Sequence, residues 1–203
     1  MIRGTTRGPA SPTPDWSIDP YLGEDRGRRA LLMDGVVQSV ALDGGAGRAG
    51  YWGAMLPDVR PTRALILGFG GGTLAHLLME RFGTLAIVGV DDDPRMLALS
   101  TALTGPHPPK LELVQADAFA FVSATAEHFD YLALDLFRGG EIPRGLLSRP
   151  FLRDLRRILS PNGLLVVNLF RDRLAASRIE RLTPVFRIRL QRPIGNNLIV
   201  FCE

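Results

Sequence analysis

The chain has 203 residues, 46% of them hydrophobic, an ordinary globular composition that suits one α/β domain with a small appendage. Its net charge of +3 comes from scattered arginines, Lys110 being the sole lysine, with no basic run of five or six residues; nucleic acid is permitted as a partner but not indicated. The single cysteine, Cys202, excludes an intrachain disulfide, and no apolar signal core or stretch of eighteen uninterrupted apolar residues is present, so we expect a cytoplasmic protein without a membrane span.

Residues 1–20 hold Gly4, Gly8, Pro9, Pro12, Pro14 and Pro20 with few apolar side chains, which predicts a flexible tail. Within 21–60, Asp34-Gly35 separates the apolar runs Ala30 to Met33 and Val36 to Val40, the pattern of a small β-hairpin. Tyr51 to Leu56 reads as a short helix and Pro57 to Pro61 as a link. The main domain, 61–203, opens with a strand at about Arg63.

That strand runs into Gly68-Phe69-Gly70-Gly71-Gly72, after which Leu74, Leu77, Leu78 and Phe82 keep a helical spacing. Glycines at 68, 70, 71 and 72 remove bulk where the chain turns, so backbone N–H groups and the helix N-terminus are expected to approach a ligand. The next apolar run, Ala86 to Val90, ends in Asp91, nineteen residues after Gly72 and at the spacing of an acid that binds ribose hydroxyls. The pair points to an adenosine-type cofactor; the plainer reading is a tight turn and a solvated acid.

Asp93-Pro94 reads as an N-cap and first helical residue, Leu111 to Gln115 as a third strand, and Ala118 to Val122 as a short helix. Tyr131 to Asp135 is a further strand, Phe151 to Leu159 a helix, Ser160 to Gly163 a turn, and Leu164 to Leu169 a strand buried on both faces. Val185 to Leu190 and Leu198 to Phe201, joined at Gly195-Asn196-Asn197, form a closing antiparallel hairpin, with Cys202 as a core thiol. The expected fold is therefore α/β, a doubly wound, mostly parallel Rossmann-like sheet with a short N-terminal β-hairpin and a C-terminal antiparallel hairpin.

Leu32-Met33-Asp34-Gly35-Val36-Val37-Gln38-Ser39, the glycine loop, Val90-Asp91-Asp92-Asp93-Pro94, Ala116-Asp117-Ala118 and Phe129-Asp130-Tyr131-Leu132-Ala133-Leu134-Asp135 follow one another in an informative order. With Leu147 to Phe151, Leu159 to Leu165 and Gly195-Asn196-Asn197, they make the chain from about Arg28 to Phe201 resemble the spermidine synthases. These aminopropyltransferases share the class I S-adenosylmethionine-dependent methyltransferase fold. The resemblance implies that Gly68, Gly70, Gly71 and Gly72 face the amino-acid tail of S-adenosylmethionine or its decarboxylated form, and that Asp91 takes the ribose. Asp92 counts with the cofactor set by position, while its own chemistry reads as a solvated side chain. Asp117 would accept from the adenine amino group with Ala118 offering backbone; as a residue, Asp117 also reads as an N-cap. Asp135 would line the transfer site and belongs to both the cofactor and catalytic sets. A homodimer rests on the resemblance alone.

The sequence departs from the family where the acceptor binds. The second acid of the family's Asp-x-x-Asp-Pro pattern is replaced by Arg138, with Glu141 as a stand-in only after a loop shift. The glycine loop lacks an acid between its glycines, a Tyr-His pair becomes Tyr51-Trp52, and the N-terminal β region is shortened. Arg138 either recruits an acidic acceptor or is an exposed loop residue. Tyr51, Trp52 and Phe137 either wall an acceptor pocket or belong to the core. His76, His107 and His128 read as packed or loop side chains, and no Cys/His spacing suits a metal. The reading preferred from sequence is methyl transfer to an unknown small-molecule or protein acceptor. Aminopropyl transfer in polyamine synthesis, or a non-catalytic adenosyl-binding or dimerising module, are the alternatives; an NAD-binding reading of the loop lacks a substrate-domain signature.

Overall fold

The computed structural model describes residues 2–4, 18–42, 50–137 and 140–203. Near the N-terminus, β2 (Tyr21–Asp25), β3 (Arg28–Met33) and β4 (Val36–Val40) form a small antiparallel sheet. Asp34 and Gly35 have φ of 51° and 69°, the paired left-handed geometry expected of an Asp-Gly hairpin. Arg26 and Gly27 repeat it at 51° and 75°, adding a strand that the sequence did not announce because arginine is not a usual first residue of such a turn.

After α1 (Tyr51–Ala54), strands and helices alternate: β5 (Arg63–Leu67), α2 (Thr73–Phe82), β6 (Ala86–Asp91), α3 (Pro94–Thr104), β7 (Leu111–Gln115), α4 (Ala118–Ala124), β8 (Phe129–Leu134), α5 (Arg149–Ile158), β9 (Leu159–Phe170), α6 (Ala175–Leu182), β10 (Ile188–Ile194) and β11 (Asn197–Cys202). With β1 (Ile2–Gly4), eight strands form one sheet in the order β1-β7-β6-β5-β8-β9-β11-β10. Strands β1 and β5 to β9 are parallel, and β11 is antiparallel to both β9 and β10. The strand order reverses beside β5, so its C-terminal end opens onto the crevice where doubly wound sheets hold ligands.

Three expectations are corrected. The expected loose tail begins with paired backbone, Ile2–Gly4 lying in register with Leu113 to Gln115; the edge of β7 offers unpaired N–H and C=O groups whatever side chains approach it. Residues 5–17 lie outside the described residues. Leu159 opens β9 instead of extending α5, and Ser160 to Gly163 is a bulge: β8 advances from Phe129 to Tyr131 while β9 advances from Leu159 to Leu164. Asn162, at φ 61°, takes the left-handed residue this bulge requires. Helix α6 was not foreseen, since its arginines dilute the apolar spacing of Ala175, Ile179 and Leu182 that rest on the core.

Leu65, Leu67, Val88, Val90, Leu132 and Leu134 face α4, α5 and α6, whereas Ala64, Ile66, Ile87, Tyr131 and Ala133 face α1 and α2. Both faces of the sheet are thus covered, which is why its strands read as near-continuous apolar runs. The Tyr131 hydroxyl, wholly buried, donates to the Met55 carbonyl at 2.9 Å and ties β8 to the segment that follows α1. No helix among the described residues is long and apolar enough to cross a membrane.

Gly89 in β6 fixes the floor of the crevice, because a Cβ there would lie 2.3 Å from the Phe69 ring. Gly89→Ala is predicted to destabilise the fold by about 1–3 kcal/mol through overpacking, read as a lowered urea midpoint at unchanged slope. An unchanged midpoint would show that Phe69 yields freely.

Candidate active site

The glycine loop leaves β5 with Gly68, Gly70 and Gly72 at φ of 85°, 56° and 87°, a backbone that other residues adopt only with strain. Gly68 is also demanded by contact, since a Cβ would stand 2.2 Å from the Asp135 carbonyl oxygen. At Gly71 a Cβ would meet Leu103 at 2.7 Å and Ser39 at 2.8 Å.

The loop's N–H groups are engaged within the protein, contrary to the expectation that they reach a ligand. Gly68 and Phe69 both donate to the Val90 carbonyl at 3.0 Å, and Gly72 donates to the Phe69 carbonyl at 3.0 Å. Gly70 donates to Asp91 Oδ2 at 2.8 Å and Gly71 to Ser39 Oγ at 2.7 Å. The sequence shows which residues lack a Cβ but not where their N–H groups point. What the loop offers a ligand is clearance and the positive end of α2.

Asp91 ends β6. Its Oδ1 accepts the Asp93 N–H at 3.1 Å while Oδ2 takes Gly70, so each oxygen keeps a lone pair for a vicinal diol. Burial pushes its pKa up to about 6 against the pull of the two N–H donors, with the charges of Asp92 and Asp93 adding to the rise. Asp92 is partly buried beside it. Asp93 is buried and caps α3, accepting the Arg95 backbone N–H at 2.9 Å together with Nε and Nη2 of the Arg95 guanidinium. On the neighbouring strand, Asp117 accepts Ala120 N–H at 2.9 Å, the expected N-cap of α4, with Ala118 buried behind it. The Ala116 N–H donates to the Asp91 carbonyl at 3.1 Å, which brings the ends of β6 and β7 together and sets Asp117 on the same rim as Asp91.

Asp135 follows β8, and its N–H donates to the Leu67 carbonyl at 2.9 Å, so it stands next to Gly68. Its Oδ1 accepts Asn168 Nδ2 at 2.8 Å, and Asn168 Oδ1 in turn accepts Asn197 Nδ2 at 2.9 Å. Burial pushes the pKa of this carboxylate up to about 6, against the Asn168 amide and the polar groups of the Tyr51 and Trp52 side chains, which lower it. Burial, then the Asp135 charge and its hydrogen bond, push the Tyr51 hydroxyl well above its usual range. Tyr51 and Trp52 lie beside Asp135 with their rings 4.2 Å apart, and Trp52 belongs to the core as well, while the Phe137 and Phe170 rings are 4.8 Å apart and tilted. Asn168, fully buried, was missed in the sequence; the one signal was a polar residue inside the apolar run Leu164 to Leu169.

Glu141 is exposed and is not among the described groups hydrogen-bonded to Asp135, so the structure does not bring this candidate into the site. Arg138 lies outside the described residues. His76 and His107 sit with ring centres 6.2 Å apart, and burial lowers the pKa of each. Among the described residues, no group of three or more metal-ligating side chains gathers.

A methyltransferase-domain family model matches residues 64–163, the stretch holding the loop and its three acids. The polyamine aminopropyltransferase of Chromobacterium violaceum is 32% identical over 141 residues, 68% of this chain and 54% of that protein. The eEF1A lysine and N-terminal methyltransferase of Bos taurus is 29% identical over 159 residues, 70% of this chain and 23% of that protein. The chain thus spans about half the length, or less, of these relatives. A probable spermidine synthase from Corynebacterium glutamicum superposes with a TM-score of 0.78 at 21% identity, covering 96% of this chain and 80% of that one. The fold is that of the class I S-adenosylmethionine-dependent transferases. Within that class, the chain has the spermidine-synthase-like form.

On the expectation from sequence that Asp91 takes the ribose, which needs its carboxylate ionised, S-adenosylhomocysteine affinity is predicted to be level above about pH 7. It should fall below about pH 6, approaching tenfold per pH unit as one proton is taken up. Asp91→Asn should bind weakly with no such slope. Calorimetric titration across this range checks both, and a wild-type affinity that rises on acidification would contradict the assignment.

Proposed function

We propose that the chain transfers a methyl group from S-adenosylmethionine to an amine of a small-molecule or protein acceptor. The observation that carries this reading is the glycine loop itself. Its one side chain between Gly68 and Gly72, Phe69, is buried beneath Gly72 and Gly89, so the loop presents no acid to the donor's tail. A decarboxylated donor carries only an ammonium there and gains no partner from the loop, whereas the carboxylate of S-adenosylmethionine meets no opposing charge. The amine class is supported by the names of the relatives, which act on polyamines, lysine or protein N-termini.

A sulfonium is an activated leaving group, so alignment supplies much of the rate. The acceptor nitrogen first gives up a proton to solvent; as the free amine it forms a bond to the methyl carbon while the carbon–sulfur bond breaks, and the electron pair of that broken bond neutralises sulfur, leaving a methylated ammonium. Asp135, fixed by Asn168, offers the negative charge that draws and orients an amine, and the aromatic rings beside it favour a cation. Aminopropyl transfer is the second reading, favoured by the aminopropyltransferase relatives and by the match of Asp135 to the first acid of the Asp-x-x-Asp-Pro pattern.

Incubation with each donor, diamines and lysine-bearing peptides, followed by mass spectrometry, tests the choice. The expected products are S-adenosylhomocysteine and a methylated amine, with Asp135→Asn lowering kcat by about a hundredfold or more. Methylthioadenosine and an aminopropylated amine, formed only from the decarboxylated donor, would overturn it.

A further inference from the structure

The small N-terminal sheet does more than cover the core, because two hydroxyl groups couple it to the glycine loop. Ser39 on β4 is buried, and its Oγ accepts the Gly71 N–H at 2.7 Å. Two residues on, the Thr73 hydroxyl accepts the Val40 N–H and donates to the Val40 carbonyl, both at 2.8 Å. Packing closes the same joint. A Cβ at Gly70 would lie 3.0 Å from Ser39 Oγ and 3.3 Å from the Gln38 carbonyl, and one at Gly71 would lie 2.8 Å from the Ser39 Cβ. Leu31 on β3 and Ala41 just past β4 pack with Met96 and Leu103, so the small sheet is held by α3 as well.

The consequence reaches Asp91. Gly70 is joined to Asp91 through its N–H, and the adjacent Gly71 is joined to Ser39, so a shift of β4 moves the peptide that braces the ribose-binding carboxylate. We infer that Ser39 and Thr73 are positioning residues for the donor site: the small sheet clamps the glycine loop in its donor-binding shape, and loss of either hydroxyl weakens donor binding with the fold intact. This inference rests on the reading of the loop as a donor site.

The test uses the full chain as wild type, Ser39→Ala, Thr73→Val and Thr73→Ser. Three readouts are taken: S-adenosylhomocysteine affinity by calorimetry, amide hydrogen exchange at Gly71 without ligand, and thermal unfolding. Ser39→Ala and Thr73→Val should each weaken binding by about tenfold, the scale of one buried hydrogen bond, while their unfolding remains cooperative. Gly71 exchange should accelerate in Ser39→Ala, and Thr73→Ser, which keeps the hydroxyl, should restore affinity. A purely structural role would instead lower the unfolding temperature and leave affinity at the wild-type value. Wild-type affinity in Ser39→Ala, with Gly71 exchanging faster, would overturn the clamp while leaving the donor site standing. Failure of the wild type to bind S-adenosylhomocysteine or S-adenosylmethionine would overturn the donor-site reading and the clamp with it.

Discussion

The site depends on how closely the residue after β8 lies against the residue after β5. The Asp135 N–H donates to the Leu67 carbonyl, and the Asp135 carbonyl stands where a side chain on Gly68 would be. That approach sets the Asp135 carboxylate beside the start of the glycine loop at the point where strand order reverses. The loop then folds back to Asp91 through Gly70, so the two carboxylates stand at neighbouring strand ends.

The two halves of the site are built by different means. Asp91 is held by backbone N–H groups from its own loop and turn, an arrangement that follows from local chain geometry. Asp135 is held by the Asn168 side chain on β9, which Asn197 on β11 supports in turn, with Tyr51 and Trp52 of α1 beside it. Burial raises the pKa of both carboxylates to about 6, and the second has the paired rings of Tyr51 and Trp52 beside it.

The donor half was the legible half for that reason. The glycines, the acid nineteen residues on and the Asp93-Pro94 helix start are local signals, and each falls where spacing placed it. The Asp34-Gly35 hairpin is of the same kind. What the sequence hid is non-local: Asn168 and Asn197 meet through sheet pairing, Ser39 meets Gly71 across 32 residues, and β1 finds an edge 111 residues away. The loop's N–H groups were misjudged because absence of a Cβ speaks of space and not of direction. Glu141 was considered as a stand-in for the second acid after a loop shift, and it lies exposed.

The central claim is that a glycine loop without an acid selects a donor whose tail keeps its carboxylate. Calorimetric comparison of S-adenosylmethionine with its decarboxylated form, on the wild-type chain under one buffer, tests it most directly. The account predicts tighter binding of S-adenosylmethionine; tighter binding of the decarboxylated donor would contradict it.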